Sequence, residues 1–439
     1  MTMMLRAWLA TILLLGATTA RAQTAVQWKF DFGDGPAAPG YTAVGAATFY
    51  DASRGYGFEP GATAHLEHRG GSALDGDFVT AARPFLFSAS VPEGNYRVTV
   101  TLGDPQGTSE TTVKAESRRL MLEAVTTSRG ARVTRSFIVN VRRRALTPPP
   151  ANAPGGSAVR TNDREVGSYT WDDKLTLEFS GPAPKLAALT IEPVEVPTVY
   201  LAGDSTVTDH RWEPTASWGQ MLPRFFAPQV AIANHAESGE TLKSFLSELR
   251  LAKILETLHA GDYLFIQFAH NDQKKQWPQT YVDAATTYRA YLRVYIEEAK
   301  RRGAIPVLVT SPQRRNFDAR GHIVNTLEGY PDAARAVARE EGIALIDLTA
   351  MSTTLYEALG PERAPLAFAE HGADHTHNDN YGAYELARCI VEGIRRAKLP
   401  LAQFIADDAG HFDPAQPDDP GAFDVPASLA HSDIKPRGN

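Results

Sequence analysis

Cysteine is almost absent from this sequence. Cys389 is the only one in 439 residues, so no intramolecular disulfide can form and core burial must hold the chain together. It follows Leu386 and precedes Ile390 and Ile394 on a helical apolar face, the setting of a buried thiol acting as a small hydrophobe. Positive charge is not in excess: 44 Lys and Arg against 51 Asp and Glu leave a net −7. That balance, with a pI near 6.0, points away from nucleic acid and anionic membranes as partners. Long apolar runs are missing as well. The run from Trp8 to Leu15 is too short to span a membrane, and Arg6 before it and Ala20-Arg-Ala22 after it mark an export signal. Cleavage is expected after Ala22, giving a secreted or periplasmic protein with no membrane insertion.

Residues 23–195 lack any long 3.6-residue apolar period and read as all-β. Candidate strands are Trp28–Phe32, Phe85–Ser88, Tyr96–Leu102, Leu120–Ala124, Thr134–Val141, Leu175–Phe179 and Leu186–Pro193, separated by Gly, Pro, Asn and Asp. Tyr96-Arg-Val-Thr-Val-Thr-Leu102 alternates as a half-exposed sandwich strand should. Pro148-Pro-Pro150 through Gly155-Gly156 reads as a long loop inside this region, because strand signals of the same character resume after Trp171.

At Glu192-Pro-Val-Glu-Val-Pro197 the pattern changes. From 197 to 405, short apolar runs (Val199–Leu201, Val230–Ala233, Tyr263–Phe268, Ile305–Thr310, Ala344–Leu348) alternate with helical segments at Thr241–Thr257, Tyr281–Arg302, Tyr330–Glu341 and Ala383–Lys398. Such alternation predicts parallel strands with right-handed crossovers in a three-layer α/β fold, whose ligands sit beyond the carboxyl ends of the strands. Residues 406–439, rich in Asp and Pro, are expected to be loosely ordered or to hug the surface.

Chemistry concentrates after these strands. Gly203-Asp204-Ser205-Thr206 ends the first of them and is expected to turn into a helix, a good place for a nucleophile and equally for a simple cap. Asp374-His375-Thr376-His377 sets a carboxylate three residues before an imidazole, close enough to fix its tautomer. The alternative for His371, Asp374, His375, His377 and Asp379 is a zinc site, although their spacing fits no familiar metal signature. Gly239 after the second strand lets backbone N–H approach a ligand, and Asn271 after the third carries an amide able to donate to an oxyanion.

Taken together, Gly203-Asp204-Ser205, Gly239, His270-Asn271-Asp272 and Asp374-x-x-His377 resemble the four ordered blocks of the SGNH branch of the GDSL hydrolases. The wording of Gly-Asp-Ser-Thr-Val-Thr, Ser217-Trp-Gly-Gln220, His-Asn-Asp and Asp-x-Thr-His-x-Asn is similar to the rhamnogalacturonan acetylesterase subgroup. Phe30-Asp-Phe-Gly33 and Gly55-Tyr-Gly-Phe58 resemble the galactose-binding-like jelly roll found before some such esterases. The resemblance implies a flavodoxin-like α/β/α esterase domain behind an all-β jelly roll, with no cofactor and no metal. It implies Ser205 as nucleophile, His377 as general base then acid, and Asp374 as its orienter. The Ser205 N–H, the Gly239 N–H and the Asn271 side chain would form the oxyanion hole.

The implied substrate is an acetylated polysaccharide or oligosaccharide, first of all pectic rhamnogalacturonan. Acetylxylan or another acetylated glycan is the alternative, and a non-catalytic carbohydrate-binding protein is the reading of another class. Trp212 and Trp277 are candidates to stack on sugar rings, while Trp218 reads as core. Arg314 and Arg315 are candidates to pair with a uronate carboxylate. Glu240 stands where many relatives carry Arg, and would set a negative charge near the rim.

Overall fold

The computed structural model describes residues 27–71, 73–147, 156–432 and 434. The export signal, its cleavage site after Ala22 and most of the Pro148–Gly156 stretch lie outside the described residues.

Among the described residues twelve strands build two sheets: β1 (Trp28–Asp31), β2 (Thr42–Ala43), β3 (Tyr56–Phe58), β4 (His65–His68), β5 (Asp77–Thr80), β6 (Phe85–Ser90), β7 (Gly94–Gly103), β8 (Ser109–Ala115), β9 (Arg119–Thr127), β10 (Arg132–Val141), β11 (Lys174–Ala183) and β12 (Lys185–Pro193). One sheet runs β10-β7-β12-β1-β2, with β5 also on β12 and β4 on β5, and the other runs β3-β6-β11-β8-β9. On β7 the predicted alternation holds, with Tyr96, Val98, Val100 and Leu102 buried between the sheets. Phe30, Phe32, Phe58 and Phe85 crowd Phe87 and each other there, the Phe32 and Phe87 rings meeting edge to face at 5.2 Å. Each such ring contributes about 1.5–3 kcal/mol by leaving water. Strand β8 escapes prediction because it reads Ser-Glu-Thr-Thr-Val-Lys-Ala, yet most of it is buried. Lys114 tolerates this because Glu178 lies 3.7 Å away and Glu213 3.9 Å away.

Five further strands form an all-parallel sheet: β13 (Thr198–Gly203), β14 (Ala231–Asn234), β15 (Tyr263–Gln267), β16 (Ile305–Val309) and β17 (Ala344–Ile346), in the order β14-β13-β15-β16-β17. Alternate residues feed two separate cores. Val199, Leu201, Phe265, Val307 and Val309 enter one, and Tyr200, Ala202, Leu264, Ile266 and Leu308 enter the other. Strand order reverses between β13 and β15, the point at which such sheets open a crevice for ligand.

The structure departs from the helix expectations at identifiable residues. Thr241–Thr257 is two helices, Leu242–Ser247 and Arg250–Thr257, parted by Leu249 at φ 64°. The helix expected from Tyr281 begins at Thr287, because Asp283 captures the N–H groups of Ala285 and Thr286 in a closed turn. The helical run over Leu348–Arg363, capped by Asp347 and broken at Gly360 (φ 72°) before Pro361, is hidden by its Thr, Ser and Gly content. Helix Tyr330–Glu341 stands as predicted.

Residues 406–432 do hug the surface, but by specific ties. The Tyr381 hydroxyl donates to Asp418 O at 2.7 Å, and Arg388 pairs with Asp418. Further on, Glu213 N donates to Ala430 O and Ser432 N to Glu213 O, while Lys114 donates to Ser428 Oγ.

Candidate active site

The carboxyl edge of the parallel sheet gathers the residues singled out from the sequence. Gly203 closes β13 with no space for a side chain, since a Cβ would lie 2.5 Å from Val207 Cγ2. No helix follows directly, contrary to expectation. Asp204 instead folds the chain into a tight turn: its Oδ1 accepts from Thr206 N and Thr206 Oγ1, and its carbonyl accepts from Val207 and Thr208 N–H. Ser205 rides on that turn, only 3% exposed.

His377 reaches Ser205 from the loop before helix Asn380–Arg396. Its Nδ1 lies 2.8 Å from Asp374 Oδ2 and its Nε2 2.8 Å from Ser205 Oγ. A carboxylate at Nδ1 makes that nitrogen the donor, which leaves Nε2 free to accept the serine proton. Burial works to raise the Asp374 pKa, but His377 and the N–H groups of His377 and Thr376 outweigh it and hold the carboxyl well below its usual range.

Asn271 follows β15 and is 1% exposed. Its Nδ2 donates to Glu240 O at 3.1 Å, which ties the amide to the turn containing Gly239, whose φ of +87° suits glycine. Glu240 itself turns inward. It is buried, accepts from Ser244 Oγ and lies 3.4 Å from Arg250, so its carboxylate is turned to a cation inside the fold and not to the rim.

The other candidates divide. Trp218 is core, donating to Gln267 Oε1. Trp212 lies beneath Arg164 and Arg211, which stack on its ring at 5.8 and 5.0 Å. Trp277 is 37% exposed, with Lys274 Nζ 4.8 Å from its ring centre. Arg314 donates to Thr376, Thr326 and His270 O, and Arg315 to Gly372 O, so both brace the loop that carries Asp374 and His377. Of the residues weighed for zinc, Asp379 caps helix Asn380–Arg396 and His375 faces Asn316.

Two supports were missed in the sequence. His210 Nε2 donates to Ser205 O at 2.7 Å; burial, and then the neighbouring His377, push its pKa well down and keep the ring neutral. Arg118, at the tip of the β8–β9 hairpin, donates to His210 O and Thr215 O, pairs with Glu213 and reaches Asn380 Oδ1. Arg119 beside it pairs with Asp209 at 2.6 Å. Glu116 and Arg118 both take left-handed backbone, costing about 1–3 kcal/mol each, and the polar contacts of Arg118 offset that strain. Histidine five residues after the serine was the available signal for the first; nothing local announced the second.

Residues 28–142 match the family described as beta-agarase/YXIM esterase-like, galactose-binding domain-like. Residues 201–379 match the GDSL-like lipase/acylhydrolase family. Rhamnogalacturonan acetylesterase RhgT of Bacillus subtilis is 42% identical over 226 residues, covering 48% of this chain and 95% of that protein. The probable rhamnogalacturonan acetylesterase YesY of the same organism is 36% identical over 210 residues, covering 47% and 96%. The uncharacterized esterase YxiM, also from B. subtilis, is 27% identical over 410 residues, covering 89% and 98%. The chain therefore belongs to the GDSL-like lipase/acylhydrolase family, as a carboxylic ester hydrolase of the SGNH type that carries a galactose-binding-like sandwich before its parallel sheet.

Proposed function

We propose that the protein removes acetyl groups from a plant cell-wall polysaccharide, pectic rhamnogalacturonan, through an acetyl-serine intermediate. The observation that carries this reading is the continuous chain from Asp374 through His377 to Ser205 Oγ, with both links at 2.8 Å. The identity to RhgT supports the choice of polymer.

In this reading Ser205 Oγ attacks the acetyl carbonyl carbon while its proton passes to His377 Nε2. The oxyanion is stabilised by the N–H groups of Ser205 and Gly239 and the second amide hydrogen of Asn271. The C–O bond to the sugar then breaks and the sugar oxygen takes the proton from His377. Water, deprotonated by the same imidazole, attacks the acetyl-serine and releases acetate. Asp374 stabilises the imidazolium in both halves.

The test is acetate release from acetylated rhamnogalacturonan and acetylated xylan by the purified protein and its Ser205→Ala variant. Release from the pectic polymer, falling about 10⁶-fold in the variant, is expected; retained activity in the variant overturns the mechanism, and a preference for xylan overturns the substrate. The reading includes export with cleavage after Ala22, for which the mature protein should begin at Gln23 on N-terminal sequencing.

A further inference from the structure

Asn271 is followed within one turn by Lys274, whose N–H donates to Asn271 O at 3.1 Å. That turn brings the two side chains together, with Lys274 Nζ 3.1 Å from Asn271 Oδ1. The lysine therefore stands on the opposite side of the amide from the nitrogen that donates to Glu240 O.

Its charge is not balanced locally. Among the described residues no carboxylate lies within ion-pair distance of Lys274 or of its neighbour Arg314, whose donors go to the neutral acceptors Thr376 Oγ1, Thr326 Oγ1 and His270 O. Both side chains are partly buried. Several other buried cations of this protein are ion-paired: Arg119 with Asp209 at 2.6 Å, Arg250 with Glu165 at 2.7 Å and Lys253 with Glu93 at 2.8 Å. Burial first, and then the repulsion of Arg314, push the lysine pKa down to about 8, partly opposed by Asp204. A half-buried cation is costly without an anion beside it, and among the described residues none lies within contact. The half-exposed Trp277 ring lies against the same ammonium and offers an apolar face to a sugar.

We propose that Lys274, backed by Arg314 and flanked by Trp277, binds the carboxylate of a uronate sugar next to the acetyl group being removed. This rests on the acetylesterase reading above and adds a specificity-determining residue to it. The free N–H bonds of the ammonium donate to the carboxylate oxygens, and the sugar ring packs on Trp277.

The experiment compares kcat/KM on O-acetylated oligogalacturonides bearing free carboxylates with the same oligomers methyl-esterified, for the natural protein, Lys274→Met and Lys274→Arg. The free acid should be preferred by about tenfold or more, the scale of one charge-assisted hydrogen bond. Lys274→Met should bring that ratio near one, mainly through KM on the free acid, and Lys274→Arg should retain most of it. An equal loss on both substrates, or an unchanged ratio in Lys274→Met, overturns the proposal. Should Lys274→Met not fold, the natural protein decides alone: free galacturonate should inhibit hydrolysis of 4-nitrophenyl acetate about tenfold more strongly than its methyl ester, and equal inhibition overturns the subsite. Turnover of the methyl-esterified oligomer that survives Ser205→Ala would instead sink the underlying acetylesterase mechanism, whatever the ratio.

Discussion

Arg118 and Glu213 meet as a buried ion pair across the boundary between sandwich and parallel sheet, their side chains 5% and 7% exposed. Breaking one side of such a pair strands a charge, so Arg118→Met should destabilise the protein by about 3–5 kcal/mol. With Glu213→Gln added to it, the combined loss should be smaller than the sum of the two single losses, because the pairing of Arg118 with Glu213 is removed only once. Urea midpoints for the single and double variants measure both; additive losses would show that the two residues are not coupled.

Asp374→Asn tests the orienting carboxylate. An amide at that position no longer fixes the His377 tautomer or stabilises its cation, so kcat on a small acetyl ester should fall about four orders of magnitude. KM should change little, and the thermal midpoint should stay within a few degrees.

Asp272 is fully buried and its Oδ1 accepts the Leu242 N–H. Burial, with added repulsion from Asp204, pushes its pKa up to about 8. The folded protein then holds a proton that the unfolded chain releases near pH 4. The stability contributed by that proton is complete below pH 4 and is lost as pH rises to about 8, by at most about 1.4 kcal/mol per pH unit. Asp272→Asn removes the titration while keeping the acceptor for Leu242. The difference in denaturation free energy between variant and natural protein should therefore grow in favour of the variant from pH 5 to pH 8; a constant difference would contradict this.

Cys389 is 0% exposed, and burial lifts its thiol far above the usual range. It should not react with a thiol reagent in the native protein and should react stoichiometrically in denaturant. Rapid native labelling would contradict the packing of helix Asn380–Arg396.

What the sequence disclosed about this molecule was local. The turn at Ser205 and the Asp374–His377 pair each fit within four residues, and the structure brings both to one hydrogen-bonded chain. Alternation on β7 was readable for the same reason. Contacts between distant positions were hidden: Arg118 reaches Thr215 and Asn380 across 97 and 262 positions. Arg314 and Arg315 looked like hands for substrate, yet each is engaged with backbone or hydroxyl groups of its own fold. Lys274 passed unnoticed because its meaning lies in what is missing around it, and a string of letters does not show an unpaired charge. The tail was open between two courses for a related reason: few apolar letters allowed either looseness or a path along the surface, and polar ties hold it to the second.

Those ties bear on how the protein comes to be made. Ser428 donates its N–H to Glu213 from 215 positions further along, and the same carboxylate takes Arg118 from the sandwich. A ribosome therefore releases the serine turn and its first brace long before the final strap. Until residues 426–432 emerge, Glu213 and Lys114 lack part of their partners, and the loop behind Ser205 stays unfinished. A chain shortened to residue 425 should thus be less stable than the full chain, although Ser205, Asp374 and His377 are all present in it.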